Sequence, residues 1–323
     1  MTGDHITFEL TDQTISHNAV HTIPNILCDD DTSSENPRTC VLPIAGETSF
    51  GFTRYLYIID DVKSSLVISI LEQNREEALF WAYELYFSGL KTDVFWILEL
   101  MVQVMYSTLN PRLVSFLESK KEEWEKTNAY CLVGTFIYNM IGRPYDITEF
   151  IRIYCKDQSC HEYIAQNPRG AIAPTSSHPG RKIYINVEQK DVKKYITVNH
   201  INPHYLLRTV VKHPVRTNIR CIFEHDHHRF THAQIQSLYW YRWLYYAGGS
   251  PIWAERIVKY GGALNYDKHT VDFATYEQDE EFHNKYNLEP DEQPIEIQNM
   301  NIGDVLAKDN QMTWIEFYQK YSH

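Results

Sequence analysis

The feature that most constrains this chain is a helix with no polar face. Asn74 and Glu77 have the spacing of a capping box, and Gly89 supplies a stop. Between them Ala78-Leu79-Phe80-Trp81-Ala82-Tyr83-Glu84-Leu85-Tyr86-Phe87 is apolar or aromatic nearly all round. A helix of that composition has to be enclosed by other elements, so the fold must place a layer on every side of it. The chain has the material: 323 residues, 43% hydrophobic and 14% aromatic, enough for one large domain or two smaller ones.

The neighbouring punctuation is also helical. Phe52 to Ile59 reads as a strand or as the lead-in to a first helix, which Asp60 or Asp61 caps and which runs through Leu71. Thr92 caps a helix from Asp93 to Leu109, whose Glu99, Gln103 and Ser107 leave one polar stripe on an apolar cylinder. This is the predicted central helix, with Trp96 inside beside Trp81 and Trp243. Asn110-Pro111 opens an amphipathic helix bearing Leu113, Phe116, Leu117 and Trp124; another spans Ala129 to Ile141 and stops at Gly142; Asp146 with Glu149 opens a last one to Cys155. Six helices joined by short connections predict an antiparallel bundle or array.

Beyond Cys160 the character changes. Asn167-Pro168-Arg169-Gly170, Pro174-Thr175-Ser176-Ser177 and His178-Pro179-Gly180 are turn signals, and Lys182 to Val187 and Lys194 to Val198 read as short strands. Thr231 with Gln234 restarts helix through Tyr246, Ser250-Pro251 starts another that ends at Gly261-Gly262, and Thr313 with Glu316 caps a terminal helix. The tail from Glu277 to Glu296 is acidic and proline-punctuated. The expected class is mainly α with a minor β part. The expected organisation is an extended arm (1–50), a helical domain (51–160), a basic, histidine-rich loop and β insert (161–230), and a helical C-terminal region with an acidic loop (231–323).

The net charge of −12 argues against nucleic-acid binding by the chain as a whole, yet it is unevenly laid out: −11 over residues 1–160, +6 over 161–235 and −7 over 236–323. Six scattered cysteines fit a reducing compartment, Met1 to Glu9 lacks the features of a signal peptide, and the most apolar run, Val94 to Met105, is too short to cross a bilayer. These observations predict a protein that is not secreted and has no membrane span.

Glu224-His225-Asp226-His227-His228 with His232 offers zinc-type ligands, but the predicted helix start keeps His228 and His232 off one face, so an exposed polar loop is the preferred reading over a metal site. Cys155 and Cys160 with His161 bring two thiols and an imidazole together without a fourth zinc ligand, and a Cys-His nucleophilic pair is left open. No catalytic motif and no cofactor fingerprint is present, so the chain is not expected to be an enzyme. Arg208, Lys212, Arg216, Arg220 and Arg229, interleaved with aromatics, and Trp240 and Trp243 in the aromatic helix are the candidate interaction residues. For the cations the preferred reading is a mixed surface, or one that docks the protein's own acidic flanks.

Glu77 to Gly89 and Ser250-Pro251-Ile252-Trp253-Ala254-Glu255-Arg256-Ile257 resemble segments of uncharacterised proteins of nucleocytoplasmic large DNA viruses. The first segment also resembles, more faintly, the helical region that follows the ATPase in clamp-loader-like proteins, although no Walker A pattern accompanies it. The viral resemblance implies a role in the virion or the viral factory in the host cytoplasm. The expected function is a non-enzymatic structural or interaction protein, such as a minor capsid-associated component that contacts other viral proteins. The alternative is an accessory factor in viral transcription or replication that binds nucleic acid through residues 161–235. A metal-dependent hydrolase at the histidine cluster is a third reading.

Overall fold

The computed structural model describes residues 50–168, 195–200, 213–220, 222, 230–286, 288–304 and 311–322. The arm, the strand expected at Lys182 to Val187, and Arg208, Lys212, Arg229, His225, His227 and His228 lie outside them. The fold is mainly α, with one small antiparallel sheet.

The first half is the expected helical array: α1 (Ile59–Leu71), α2 (Arg75–Phe87), α3 (Lys91–Met101, continued by a π turn, Val102–Tyr106), α4 (Pro111–Thr127), α5 (Cys131–Met140), α6 (Thr148–Tyr154) and α7 (Gln158–Gln166). Asn74 caps α2 by accepting the Glu77 N–H at 3.2 Å, and Gly89, at φ +88°, ends it. Every residue from Glu77 to Tyr86 is buried, so α2 and not α3 is the central helix. On α3 the indole of Trp96 is 57% exposed, which corrects its assignment to the interior: the polar face of α3 is wider than one stripe. Asp60 and Asp61 lie within the first turn of α1 and do not cap it. Helix α7, which the sequence reading missed, is capped by Asp157 and runs across residue 160, where the insert was expected to begin.

The second half contains α8 (His232–Tyr241), α9 (Trp243–Ala247), α10 (Pro251–Lys259), the hairpin β1 (Gly262–Asn265) and β2 (Thr270–Phe273), α11 (Tyr276–Tyr286) and α12 (Ile295–Ile302). The helix expected through Tyr246 breaks at Arg242, where φ is −133°. The hairpin pairs Gly262 with Phe273 and Asn265 with Thr270; it was not expected from the sequence, nor were α11 in the acidic tail and α12 at its end. The terminal α13 (Trp314–Tyr321), with the expected Thr313–Glu316 capping box, crosses back to pack on α6 and α7.

Two hydrophobic clusters result. The larger gathers α1–α7 and α13; the smaller gathers α8–α12 and the hairpin. Residues 50–59 feed both. Phe50, Phe52, Leu56 and Ile58 enter the second cluster, while Tyr55, Tyr57 and Ile59 enter the first. A short bridge between Phe52 and Ile58 closes this lead-in into a tight loop wedged between the cores.

Candidate functional site

The candidate site is a set of carboxylates on and beside the two buried helices α1 and α2, together with the cations that answer them. A carboxylate buried in such surroundings is retained as an ion only when a partner and hydrogen bonds compensate its lost hydration.

Asp61 on α1 is fully buried and is gripped side-on by Arg220. Arg220 Nε donates to both carboxylate oxygens, at 2.9 and 3.1 Å, and Nη2 donates to Asp61 Oδ2 and to the Ile302 carbonyl. One guanidinium thus ties α1 of the first cluster to the end of α12 of the second. Glu77 at the start of α2 is held the same way by Arg216, with Nε to Oε1 at 2.9 Å and Nη2 to Oε2 at 2.7 Å. The Trp81 indole and the Asn74 amide also donate to Glu77, at 3.1 and 2.9 Å, which occupies both of its oxygens twice.

Arg216 extends the network to Glu72, 3.1 Å from its Nη2. Glu72 in turn accepts from Lys320 Nζ and the Tyr321 hydroxyl of α13, each at 2.9 Å. Partial burial would raise the Glu72 carboxyl, but the bonds from Lys320 and Tyr321 and the charge of Arg216 outweigh it and hold the group below its ordinary value. The bond to Glu77, with its charge, raises Arg216 despite its partial burial.

A second pair lies at the seam of the two clusters. Arg54, in the lead-in loop, donates from Nε to Glu84 Oε2 at 3.0 Å and from Nη2 to the Tyr83 carbonyl at 3.0 Å; Glu84 Oε1 accepts the Tyr55 N–H at 3.1 Å. The guanidinium also lies over the Phe87 ring, 4.9 Å from its centroid. Ser88 accepts the Arg54 N–H on its hydroxyl and the Ile252 N–H on its carbonyl. A Cβ on Gly89 would stand 2.5 Å from the Pro251 Cβ, so only glycine permits this approach. The Trp253 indole donates to the Thr53 carbonyl at 3.0 Å. The end of one segment that carries the sequence resemblance, Ser88-Gly89, therefore meets the start of the other, Pro251-Ile252.

The predicted site residues fall differently from expectation. Arg216 and Arg220 point inward, onto Glu77 and Asp61. Trp243 is buried edge-on against Trp253 at 5.4 Å, and half-buried Trp240 donates to Gln298 Oε1 at 2.7 Å; neither is an open contact surface. His232 is buried, its Nε2 2.9 Å from the Gly303 carbonyl, so it is a structural residue. Among the described residues no group of three or more His, Cys, Asp or Glu side chains is arranged to hold a metal ion, and no helix is long and apolar enough to cross a membrane. Asp61 and Glu77 are read from the sequence only as helix-start residues, and Glu72, Glu84 and Arg54 are not singled out at all. The available signal was a lone acid within an otherwise apolar helix, as Glu84 is.

No family model matches the chain, and no curated protein and no solved structure matches it.

Proposed function

We propose that this chain is a non-enzymatic structural and interaction protein: a rigid helical body that presents surface to other proteins. The observation that carries the reading is the inward docking of Arg216 and Arg220. Two of the five candidate cations already neutralise Glu77 and Asp61, so using them on nucleic acid would strand buried carboxylates at a cost of several kcal/mol. The described surface instead offers aromatic side chains in both halves: Trp96 on α3, Tyr241 at the end of α8, Tyr266 on the hairpin turn and Tyr276 at the start of α11. Tyr and Trp are side chains from which protein interfaces draw much of their binding energy. The setting implied by the resemblance is the virion or factory of a large DNA virus, with other viral proteins as partners.

Quantitative proteomics of purified particles tests this. Recovery at a copy number comparable to known minor components is expected; absence from particles would overturn the virion role. Retardation of single-stranded DNA or RNA at low salt by the folded chain would overturn the non-nucleic-acid reading.

A further inference from the structure

Helix α5 buries two polar side chains, Thr135 and Asn139, one turn apart and 0% and 2% exposed. Both read the main chain of a short segment, residues 195–198, that comes from a distant part of the sequence. Asn139 Oδ1 accepts the Ile196 N–H at 3.0 Å, and its Nδ2 donates to the Ile196 carbonyl at 2.7 Å; Thr135 Oγ1 accepts the Val198 N–H at 3.0 Å. The Asn139 carboxamide thus acts as a neighbouring strand would, giving one residue both an acceptor and a donor. A helix can do this because residues four apart on it stand roughly 5–6 Å from each other, close to the about 6.5 Å between alternate residues of an extended chain. The segment runs antiparallel to α5, with Ile196 at Asn139 and Val198 at Thr135.

Helix α4 and the turn after α5 read the side chains. The Tyr195 ring lies parallel to that of Phe116, with centroids 4.4 Å apart and 9° between the planes, and the Arg143 guanidinium lies over the same Tyr195 ring at 4.9 Å. Val198 is buried in the first cluster, whereas Tyr195, Ile196 and Thr197 are half-buried and Asn199 and His200 are exposed. One buried aliphatic side chain, one stacked ring and three main-chain bonds make a light hold. The segment that carries Arg216 and Arg220 is held far more firmly, since it buries Val215, Ile219 and Ile222 and ties both guanidiniums to buried carboxylates.

We propose that α4 and α5 form a peptide-docking groove whose partner is an extended segment of another protein, bearing an aromatic residue followed three positions later by a branched aliphatic one. Residues 195–198 occupy the groove in cis and yield to such a segment. Because Asn139 and Thr135 bond main-chain groups, a foreign segment that brings the ring and the aliphatic side chain recovers every contact the resident makes. Exchange therefore leaves both buried polar groups partnered, whereas departure of the resident without a replacement removes a partner from each. The groove specifies the partner of the protein-interaction reading above and rests on that reading for the partner's being a protein.

The test uses the full-length chain and a fluorescent synthetic peptide with the sequence from Val192 to Asn199. In the double variant Tyr195→Ala with Val198→Ala the resident is weakened, so the peptide is expected to bind saturably and about tenfold tighter than to the wild type, whose own segment competes. Adding Asn139→Ala to that variant should weaken binding by about tenfold, and so should a peptide with alanine in place of its tyrosine. No saturable binding to the double variant, or binding indifferent to Asn139, would overturn the groove while leaving the particle proteomics untouched. Dimerisation of the wild type that is lost in the double variant would seat a second copy there and overturn the partner assignment. If the double variant does not fold, excess peptide added to the wild type decides: amide exchange at residues 195–200 should accelerate, and unchanged exchange overturns the proposal.

Discussion

In the first cluster, Asp61, Glu77 and Glu84 sit on helices with apolar neighbours, and each meets an arginine from a distant part of the chain. In the second, cohesion comes from aromatic edges: Trp243 on Trp253 at 5.4 Å, Trp253 on Tyr286 at 5.6 Å, Phe282 on Tyr286 at 4.9 Å, with Arg256 lying over both Trp253 and Tyr286. His283 there meets Asp279 and Glu289 at 3.3 and 2.6 Å, and these groups are partly exposed. Aromatic burial supplies energy and tolerates adjustment, whereas a buried ion accepts one partner in one geometry. The first cluster therefore specifies which remote segments dock on it, and the second fills space.

The strongest way to break the contrast is to orphan a buried carboxylate. Arg54→Met leaves Glu84 without its cation and is expected to cost about 3–5 kcal/mol in urea unfolding, while Arg54→Met with Glu84→Leu recovers most of that loss. A double variant no more stable than the single one would show that Glu84 is not the penalty. Gly89→Ala follows: at φ +88° and with Pro251 in the way, it should cost roughly 1–3 kcal/mol and loosen the seam, read as a lower unfolding midpoint together with faster amide exchange in α10. Removing a cap is milder and should affect both regions alike. Thr231→Ala and Thr313→Ala are each expected to cost about 1 kcal/mol, and unequal losses would show that the two regions differ in how firmly they hold their helix ends.

The smallest effect sharpens the comparison through pH. Glu72 is held below its ordinary value of 4.5, so its contribution is fully present above that pH and is lost as pH falls through the depressed folded value. Glu72→Gln should flatten the acid limb of the stability profile. An unchanged limb would remove Glu72 from the network.

Much of the helical half was legible residue by residue. The cap at Asn74, the stop at Gly89, the proline at the start of α4 and the capping boxes at Thr231 and Thr313 act where their spacing put them, because caps are local chemistry, whereas the Glu77 carboxylate leaves the Asn74 backbone N–H to Ser69 and turns to Arg216. Elements without such signals were lost. The hairpin turn Tyr266-Asp267-Lys268-His269 has no glycine, and His269 takes the left-handed conformation in its place at φ +53°. Helix α11 hides in an acidic composition that reads as loop, and the short α12 has no side-chain cap to announce it. The roles of Arg216 and Arg220 could not be decided from composition: a basic stretch reads the same whether it faces solvent or an acid 139 or 159 residues away.

By itself the sequence determined the class of fold, the enclosure of the Ala78–Phe87 helix and most helix ends in the first half, since apolar periodicity and capping act within a few residues. The tertiary structure decided that α2 and not α3 is central, that Trp96 faces outward and that two arginines of the basic segment serve the interior. Those outcomes depend on which remote surfaces meet, and that choice is made by burial and charge pairing across the whole chain.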